Sequence, residues 1–588
     1  MAEPASGGSP KEMSMEVRLL LAFLLMGVVM FVTPYIYKSP PPAPKTAQKT
    51  TVAQNEPSQP PAAPAAAETA APVAPAAPGV PPTEPATVAV SLPPVTIETN
   101  LFRVTFNNQG ATVRSWQLKK YKGNDNKPLD LVNPAVGSSE VPYPFSLYFA
   151  GQPPTAKVNQ VYYTETPDAD GLGIAFGYSD GHSRVRKTFR FRRDSYLCEV
   201  TSAVTVDQRP LANAIEWRGG FGDLTVANAA SKENTIYFNP AENKLFEQGA
   251  KAGKDGPSPA TANFSFAGLE DQYFAAVFLP ETTEVLVGEE RPPFVVTTFA
   301  DTLRTEAVEK PGPLVGAAVS LGTDNHFRLF VGPKDLDLLK SVDPKLEQVV
   351  SFGWLSILAK PLFLVVNWFH KSFIHNFGWS IVLVTIIINV ALFPLRFSNM
   401  KSMRKMQALK PQLDTINAKY KKLSLTDPRK ADQQAETMAL YKQNGVNPMG
   451  GCLPMVIQLP FFIAFYKVFT VSVEMRGANW LWVTDLSQPE SLPLHILPLI
   501  MIASQFWMQK MTPTAAPGGD PGQQKMMMYM MPLIFGFMFY NLPSGLVLYY
   551  LTSNLVGMGL QLFFNHTATA ENAARSVEPP KKKNNIRK

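Results

Sequence analysis

Four polar residues interrupt apolar runs in the last third of this 588-residue chain: Thr385 and Asn389 in one run, Gln458 and Lys467 in the next. A polar group in hydrocarbon is expensive, so it usually faces a cavity or a partner and marks function. The chemistry such residues offer is hydrogen bonding and charge at low dielectric, not bond cleavage. They point to a protein that handles something inside the bilayer. Little else in the chain could do covalent work. His182 and His326 are isolated, the two cysteines Cys198 and Cys452 form no disulfide framework or zinc pattern, and Glu216-Trp217 beside Arg218 is a weak sugar-site signal.

On an ideal helix Thr385, Asn389 and Arg396 share one face, four residues and then seven apart. Arg396 then lies about 10 Å below Asn389. Two readings stand for it: snorkelling to headgroups, or reaching up into a wet groove. Lys467, towards the outer end of its run, favours outward snorkelling. Pro454 and Pro460, after Gly450-Gly451, bend their helix and free backbone groups that need partners. The run opening Met526-Met-Met-Tyr-Met-Met, which carries Met527 and Met530 and later Met538, is either lipid-facing filler or an adaptable apolar slide.

These residues must be positioned by membrane helices. Crossings are expected at 19–37, 379–397, about 450–471, 492–509, 526–542 and 544–564, the last two joined by a tight turn at Leu542-Pro543-Ser544-Gly545. Residues 1–38 read as an uncleaved anchor, with a signal peptide as the other reading. Residues 39–94, rich in Pro and Ala, read as an extended linker. From 95 to 340 short alternating runs with turn-rich breaks point to an all-β sandwich outside the cytoplasm. The stretch 341–376 is apolar but holds Lys345, Glu347, Lys360, His370 and Lys371. If it spanned, Lys360 would cost about 2.5–3.5 kcal/mol. A helix lying in the interface fits better.

The net charge of +7 is concentrated in 401–442 and in the tail Lys581–Lys588. Within 399–445, Met406, Leu409, Leu413, Ile416, Tyr420 and Leu423 form a helical seam, kinked at Pro411. Asp427-Pro428 then starts a second helix with Ala431, Ala435, Met438 and Tyr441 on one face. The result is an antiparallel hairpin on the cytoplasmic side, within a membrane module 377–565. Its basic surface (Arg404, Lys405, Lys421, Lys422), like Lys581, Lys582 and Lys583 in the tail 566–588, is either solvated or docks anionic lipid or ribosomal RNA. With six crossings both termini and the basic loop fall on the cytoplasmic side, as the positive-inside rule expects.

Asn447-Pro-Met-Gly-Gly-Cys-Leu-Pro, Gln458-Leu-Pro-Phe-Phe, Pro543-Ser-Gly-Leu-Val-Leu-Tyr-Tyr and Ser553-Asn strongly resemble the YidC/Oxa family of membrane protein insertases. That resemblance covers about 350–565, and the whole layout resembles YidC-type members from double-membraned bacteria. It implies a polytopic α-helical protein with a five-helix insertase core, a periplasmic β-supersandwich of galactose-mutarotase type and a cytoplasmic hairpin. It implies no enzyme activity and no cofactor, and a site in the inner membrane. Implied partners are nascent membrane proteins, the Sec translocon, the ribosome and signal-recognition pathway, and the lipid bilayer, with no small-molecule substrate. The resemblance places Thr385 and Tyr550 in a groove, the polar positions Asn389, Arg396 and Gln458 are expected to line it with them, and the slide along the second and fourth crossings of the module is expected to include Pro454, Pro460, Phe461, Met527, Met530 and Met538.

Asn389 stands where the family carries its groove arginine, and Arg396 is expected to supply part of that charge. An arginine in place of Asn389 is expected to be tolerated if the groove is built for one. A secondary transporter or channel is the main competing reading, although the chain has no internal repeat. A membrane-anchored carbohydrate enzyme leaves the crossings unexplained.

Overall fold

The computed structural model describes residues 89–138, 141–226, 229–281, 293–303, 312–420, 423, 429–446, 453–511 and 521–577. The anchor at 19–37, the linker as far as 88, the hairpin residues Lys421, Lys422, Asp427 and Pro428, the Asn447–Cys452 motif and Lys581, Lys582 and Lys583 lie outside the described residues. Two compact units result: one holds Glu84–Lys410 and Asn444–Lys588, the other includes Pro411–Gln443.

The larger unit begins with antiparallel sheets running from Val95–Glu98 to Asp324–Pro333. They contain four, ten and five strands. The alternation that marks strands is clearest in Ser183–Phe191, where Val185, Lys187 and Phe189 are buried while Arg184, Arg186 and Arg190 are exposed. The inward side chains build an aromatic core. Phe145 packs on Phe189 at 5.2 Å between centroids and on Trp217 at 5.6 Å, and Trp116 stacks on Phe145 at 6.1 Å. Cys198 sits in the strand Leu197–Val206 and is buried, so its polar-looking surroundings in sequence mislead. Burial pushes its thiol well above the usual range.

A short helix α1 (Leu336–Val342), capped by Asp335 accepting from Leu338 N, ends the β-rich region. After two tight turns comes α2 (Ser356–Phe369), which contains Pro361. Ala359, Leu362, Phe363 and Val366 are its buried side, while Ile357, Leu364 and Trp368 are exposed. Lys360 pairs with Glu347. A π-turn at His370–Ile374 leads to α3 (Phe377–Ala391), and the two helices are bent by 118°.

The helix expected to run unbroken over 379–397 stops at Ala391. A new one, α4 (Phe393–Ala408), starts with Pro394 in its first turn. Proline lacks the N–H that would continue the ladder, so it sits where that donor has no partner anyway. A second break at Leu409 puts Pro411 in the first turn of α5 (Lys410–Tyr420), a restart where a kink was expected.

Helix α6 (Lys430–Gln443) pairs with α5 through polar contacts. Lys419 bonds Glu436 at 2.5 Å, Tyr420 Oη donates to Glu436 at 2.9 Å, and Gln433 donates to Asn417 at 2.7 Å. The buried face of α6 is therefore Gln433, Thr437 and Tyr441. Ala431, Ala435 and Met438, read from sequence as the packed face with Tyr441, are exposed.

The remaining helices are α7 (Leu453–Val471), α8 (Ile496–Met511), α9 (Pro521–Phe539) and α10 (Ser544–Val577). Among the described residues, Ser544–His566 is long and apolar enough by itself to cross a bilayer, and α2 and α3 pass that test only as a bent pair. Helix α10 packs against α3, α7 and α8, which brings the polar positions of four helices together.

Candidate functional site

Thr385 and Asn389 face the interior of the bundle and are 0% and 2% exposed. Thr385 Oγ1 donates to Ile381 O one turn back, and Asn389 Nδ2 donates to Thr385 O, both at 2.7 Å. These bonds satisfy helix carbonyls locally. The remaining polar atom, Asn389 Oδ1, accepts from Ser553 Oγ of α10 at 3.2 Å. Asn389 is thus enclosed and bonded at both ends. An arginine at this position would have to replace the bond that Ser553 makes to Asn389 Oδ1.

Arg396 belongs to α4, so the single-helix argument that placed it below Asn389 does not hold. The break at Leu392 nonetheless leaves it facing the bundle. Its Nη2 donates to Gln458 Oε1 of α7 at 3.2 Å, and its Nη1 lies 3.5 Å from where a Cβ on Gly557 would stand. That glycine leaves room for the guanidinium and for Met508, whose Cε would be only 2.5 Å from the same Cβ. Gln458 Nε2 then donates to Tyr549 Oη and reaches Ser553 Oγ at 3.4 Å. One chain of polar groups therefore runs from Arg396 through Gln458 to Tyr549 and Ser553, and on to Asn389. Among the described residues no carboxylate pairs with Arg396, so its charge is met by neutral dipoles.

Tyr550, the position indicated by the family pattern, stands close enough to Arg396 to feel its charge, and its ring packs on α9. Its ring stacks 6.1 Å from Phe535 and lies 4.9 Å from Phe539 of α9. The adjacent Tyr549, 1% exposed and stacked 4.3 Å from Phe465, is the one whose hydroxyl bonds Gln458. The Tyr-Tyr pair in sequence does not say which hydroxyl reaches Gln458, because the rotation of α10 against α7 decides it.

Several polar residues to which the sequence assigns no groove role also join the helices. Ser553 joins two helices, and Asn554 Nδ2 donates to Ser504 Oγ of α8 at 3.1 Å. Asn399 Oδ1 and Gln509 Oε1 are buried and have no hydrogen-bond partner among the described residues. Such acceptors need water or an incoming donor. Asn399 follows Arg396 by three residues and so shares its face of α4. That spacing was legible in the sequence.

The slide residues fall into three groups. Pro460 is exposed and Phe461 half-buried on α7. On α9, Met530 is exposed and Met538 half-buried, while Leu533, Ile534 and Phe537 extend the exposed apolar face, with Phe537 at 84%. Pro454 and Met527 lie in α7 and α9, and their side chains are outside the described set. Of the docking residues, Lys405 is exposed, whereas Arg404 lies over the Phe564 ring at 5.5 Å.

In the β-rich region Glu216 and Trp217 form no open sugar site. Trp217 is core, and Glu216 is buried, its carboxyl pushed up to about 7 chiefly by that burial. Arg218 is engaged with Asp301 at 2.5 Å.

Two family models cover nearly all of the described chain. One, described as the YidC periplasmic domain, matches residues 94–365, and one described as the 60Kd inner membrane protein matches 368–571. The chain is 34% identical over 490 residues to the membrane protein insertase YidC of Cupriavidus taiwanensis, covering 80% of this chain and 82% of that one. It is 35% identical over 496 residues to its counterpart in Cupriavidus necator, with 80% and 82% covered. The insertase of Syntrophus aciditrophicus is 30% identical over 571 residues and is covered completely, against 94% of this chain. Matches of this extent, over both the β-rich region and the helical module, establish that the chain belongs to the YidC family of membrane protein insertases.

Proposed function

We infer that the protein inserts nascent inner-membrane proteins and helps them fold, through a hydrophilic groove centred on Arg396. What carries this reading is the relay from Arg396 through Gln458 to Tyr549, Ser553 and Asn389, with a cation that meets no carboxylate among the described residues. An uncompensated guanidinium in low dielectric attracts an acidic or carbonyl-rich segment far more strongly than it would in water. Polar parts of an incoming chain enter from the cytoplasmic end, where Asn399 and Gln509 offer acceptors with no partner among the described residues. Apolar segments leave along Pro460 and Phe461 of α7 and the Met530–Phe537 face of α9. The cycle is passive: burial of the substrate's apolar surface in lipid supplies the driving force.

In this reading the chain crosses the inner membrane six times with both termini in the cytoplasm. Helix α2 lies in the outer interface, and the hairpin and basic tail receive the ribosome or anionic lipid. The Sec translocon and the signal-recognition pathway are partners for larger substrates. The test is reconstitution in liposomes with a ribosome-bound small membrane protein, using photocrosslinkers at Phe461 and Phe537. Crosslinks to the emerging apolar segment, with insertion, are expected. Insertion without crosslinks at either position overturns the exit route, and no insertion overturns the reading.

A further inference from the structure

The connection between α7 and α8 is a folded body, not a slack loop. Val473, Met475, Trp480, Val483 and Leu486 are buried within it. Trp480 and Val483 exchange backbone bonds at 2.9 and 2.8 Å, which closes a two-residue hairpin, and Leu486 N donates to Ala478 O at 2.9 Å. This body sits on the helix ends remote from Arg396. Asn376 Nδ2, at the start of α3, donates to Asn479 O at 3.0 Å. A Cβ on Gly378 would stand 2.2 Å from Trp480, so the indole lies directly on the first turn of α3. At the start of α10, Ser544 N and Gly545 N donate to Gln488 O and Leu486 O, both at 2.8 Å. The connection therefore covers the ends of the two helices that carry Asn389 and Ser553.

Its other side is held by the β-rich region. Arg476, with its side chain 8% exposed, pairs with the fully buried carboxylate of Asp223 and donates from Nη2 to Lys122 O at 2.7 Å. Its guanidinium stands 5.9 Å and 5.6 Å from the Tyr273 and Phe274 ring centroids. Gln488 Nε2 donates to Tyr273 Oη at 3.1 Å. The socket is a built one. Asp223 ends the turn Arg218-Gly-Gly-Phe-Gly-Asp, in which Gly219, Gly220 and Gly222 all have positive φ. Asp301 accepts from Gly219 N at 3.2 Å, and Asp271 accepts from Asp223 N at 2.6 Å. A Cβ on Gly222 would fall 2.1 Å from Asp271 Oδ2. The glycine-rich turn thus presents one carboxylate, held from behind, to one arginine of the connection.

We propose that Arg476 is a positioning residue: seated in the Asp223 socket, it keeps the α7–α8 connection closed over the outer end of the groove. The β-rich region is then part of the closure, and insertion stays one-sided because an outward path is blocked by a body anchored outside the helices. The inference takes its inside and outside from the function proposed above.

The test uses the full chain in cells, in a background without Cys198 and Cys452, with Ser380→Cys as reporter. Ser380 is 0% exposed and lies in the first turn of α3, two residues past Gly378. A membrane-impermeant maleimide is added from the periplasmic side. R476A is expected to raise the labelling rate by about tenfold or more, because one partner of a buried pair is lost. D223N should do the same, the double variant should add nothing further, and R476K should fall between R476A and the parent. Labelling unchanged in both single variants overturns the proposal, as does a rise in D223N alone. If R476A fails to accumulate, R476K decides: labelling equal to the parent's overturns it. The measurement needs no insertion substrate, so a failed latch and a failed insertase reading are told apart.

Discussion

Two regions of this molecule bury cations, and they treat them differently. In the β-rich region Lys334 faces Glu270 at 3.0 Å with both side chains 6% exposed, Arg218 faces Asp301, and Lys187 donates to the carbonyls of Gly110 and Phe145 at 2.7 Å. Each positive charge is enclosed by acceptors that belong to the fold. Among the described residues of the helices, Arg396 has one amide acceptor and no carboxylate. A closed pair serves rigidity, and an open one leaves field for a visitor. Breaking the first kind strands a charge, whereas breaking the second removes an interaction that the folded protein alone does not need.

The sharpest way to break the contrast is Glu270→Ala. It leaves Lys334 buried and unpaired and should destabilise the β-rich region by about 3–5 kcal/mol, read by denaturant unfolding of the full chain in detergent. A loss near zero would erase the distinction between the regions. Gly222→Ala comes next. Its φ of 99° and the 2.1 Å approach to Asp271 predict a cost of about 1–3 kcal/mol in the same assay.

Arg396→Ala should act the other way round. Unfolding should shift by less than about 1 kcal/mol, while insertion of an acidic-tailed substrate in a depletion strain falls by roughly tenfold, the worth of a charged hydrogen bond. Normal insertion at normal expression would end the groove assignment.

The smallest effect is pH. Burial raises the Glu233 carboxyl to about 7, against a backbone N–H bond from Val315 that lowers it. A folded value above the unfolded one adds stability that is complete below the ordinary 4.5 and lost as pH rises through about 7. Lys187 has the opposite sign. Burial lowers it to about 7, so its penalty is full below that pH and fades as pH climbs towards 10.5. The unfolding temperature should therefore fall from mildly acidic to neutral pH, and Glu233→Gln should flatten that slope. An unchanged slope would show that Glu233 is not the group titrating.

Much of this was legible in one dimension. Period-two alternation in Ser183–Phe191 marks a strand whatever it packs on, and it even places Lys187 on the inward face. Thr385 and Asn389, four apart in an apolar run, had to share a face of one helix. Gln458 stood out because hydrocarbon tolerates few amides. Other features depended on contacts between elements. The α3–α4 break turns on Pro394, yet only the assembled bundle brings Arg396 back to Gln458. The buried face of α6 has no apolar period to announce it, because its partners are polar: Gln433 reaches Asn417.

By itself, then, the sequence determined the β-rich region, the positions of most helices and the polar residues inside them, since these follow from local periodicity and from the cost of burying dipoles. The tertiary structure alone decided that Tyr549 and not Tyr550 bonds Gln458, that Ser553 ties α3 to α10, and that Arg476 finds Asp223 across 253 positions of chain. Helix rotation and long-range pairing are set by packing between elements, and no local pattern encodes them.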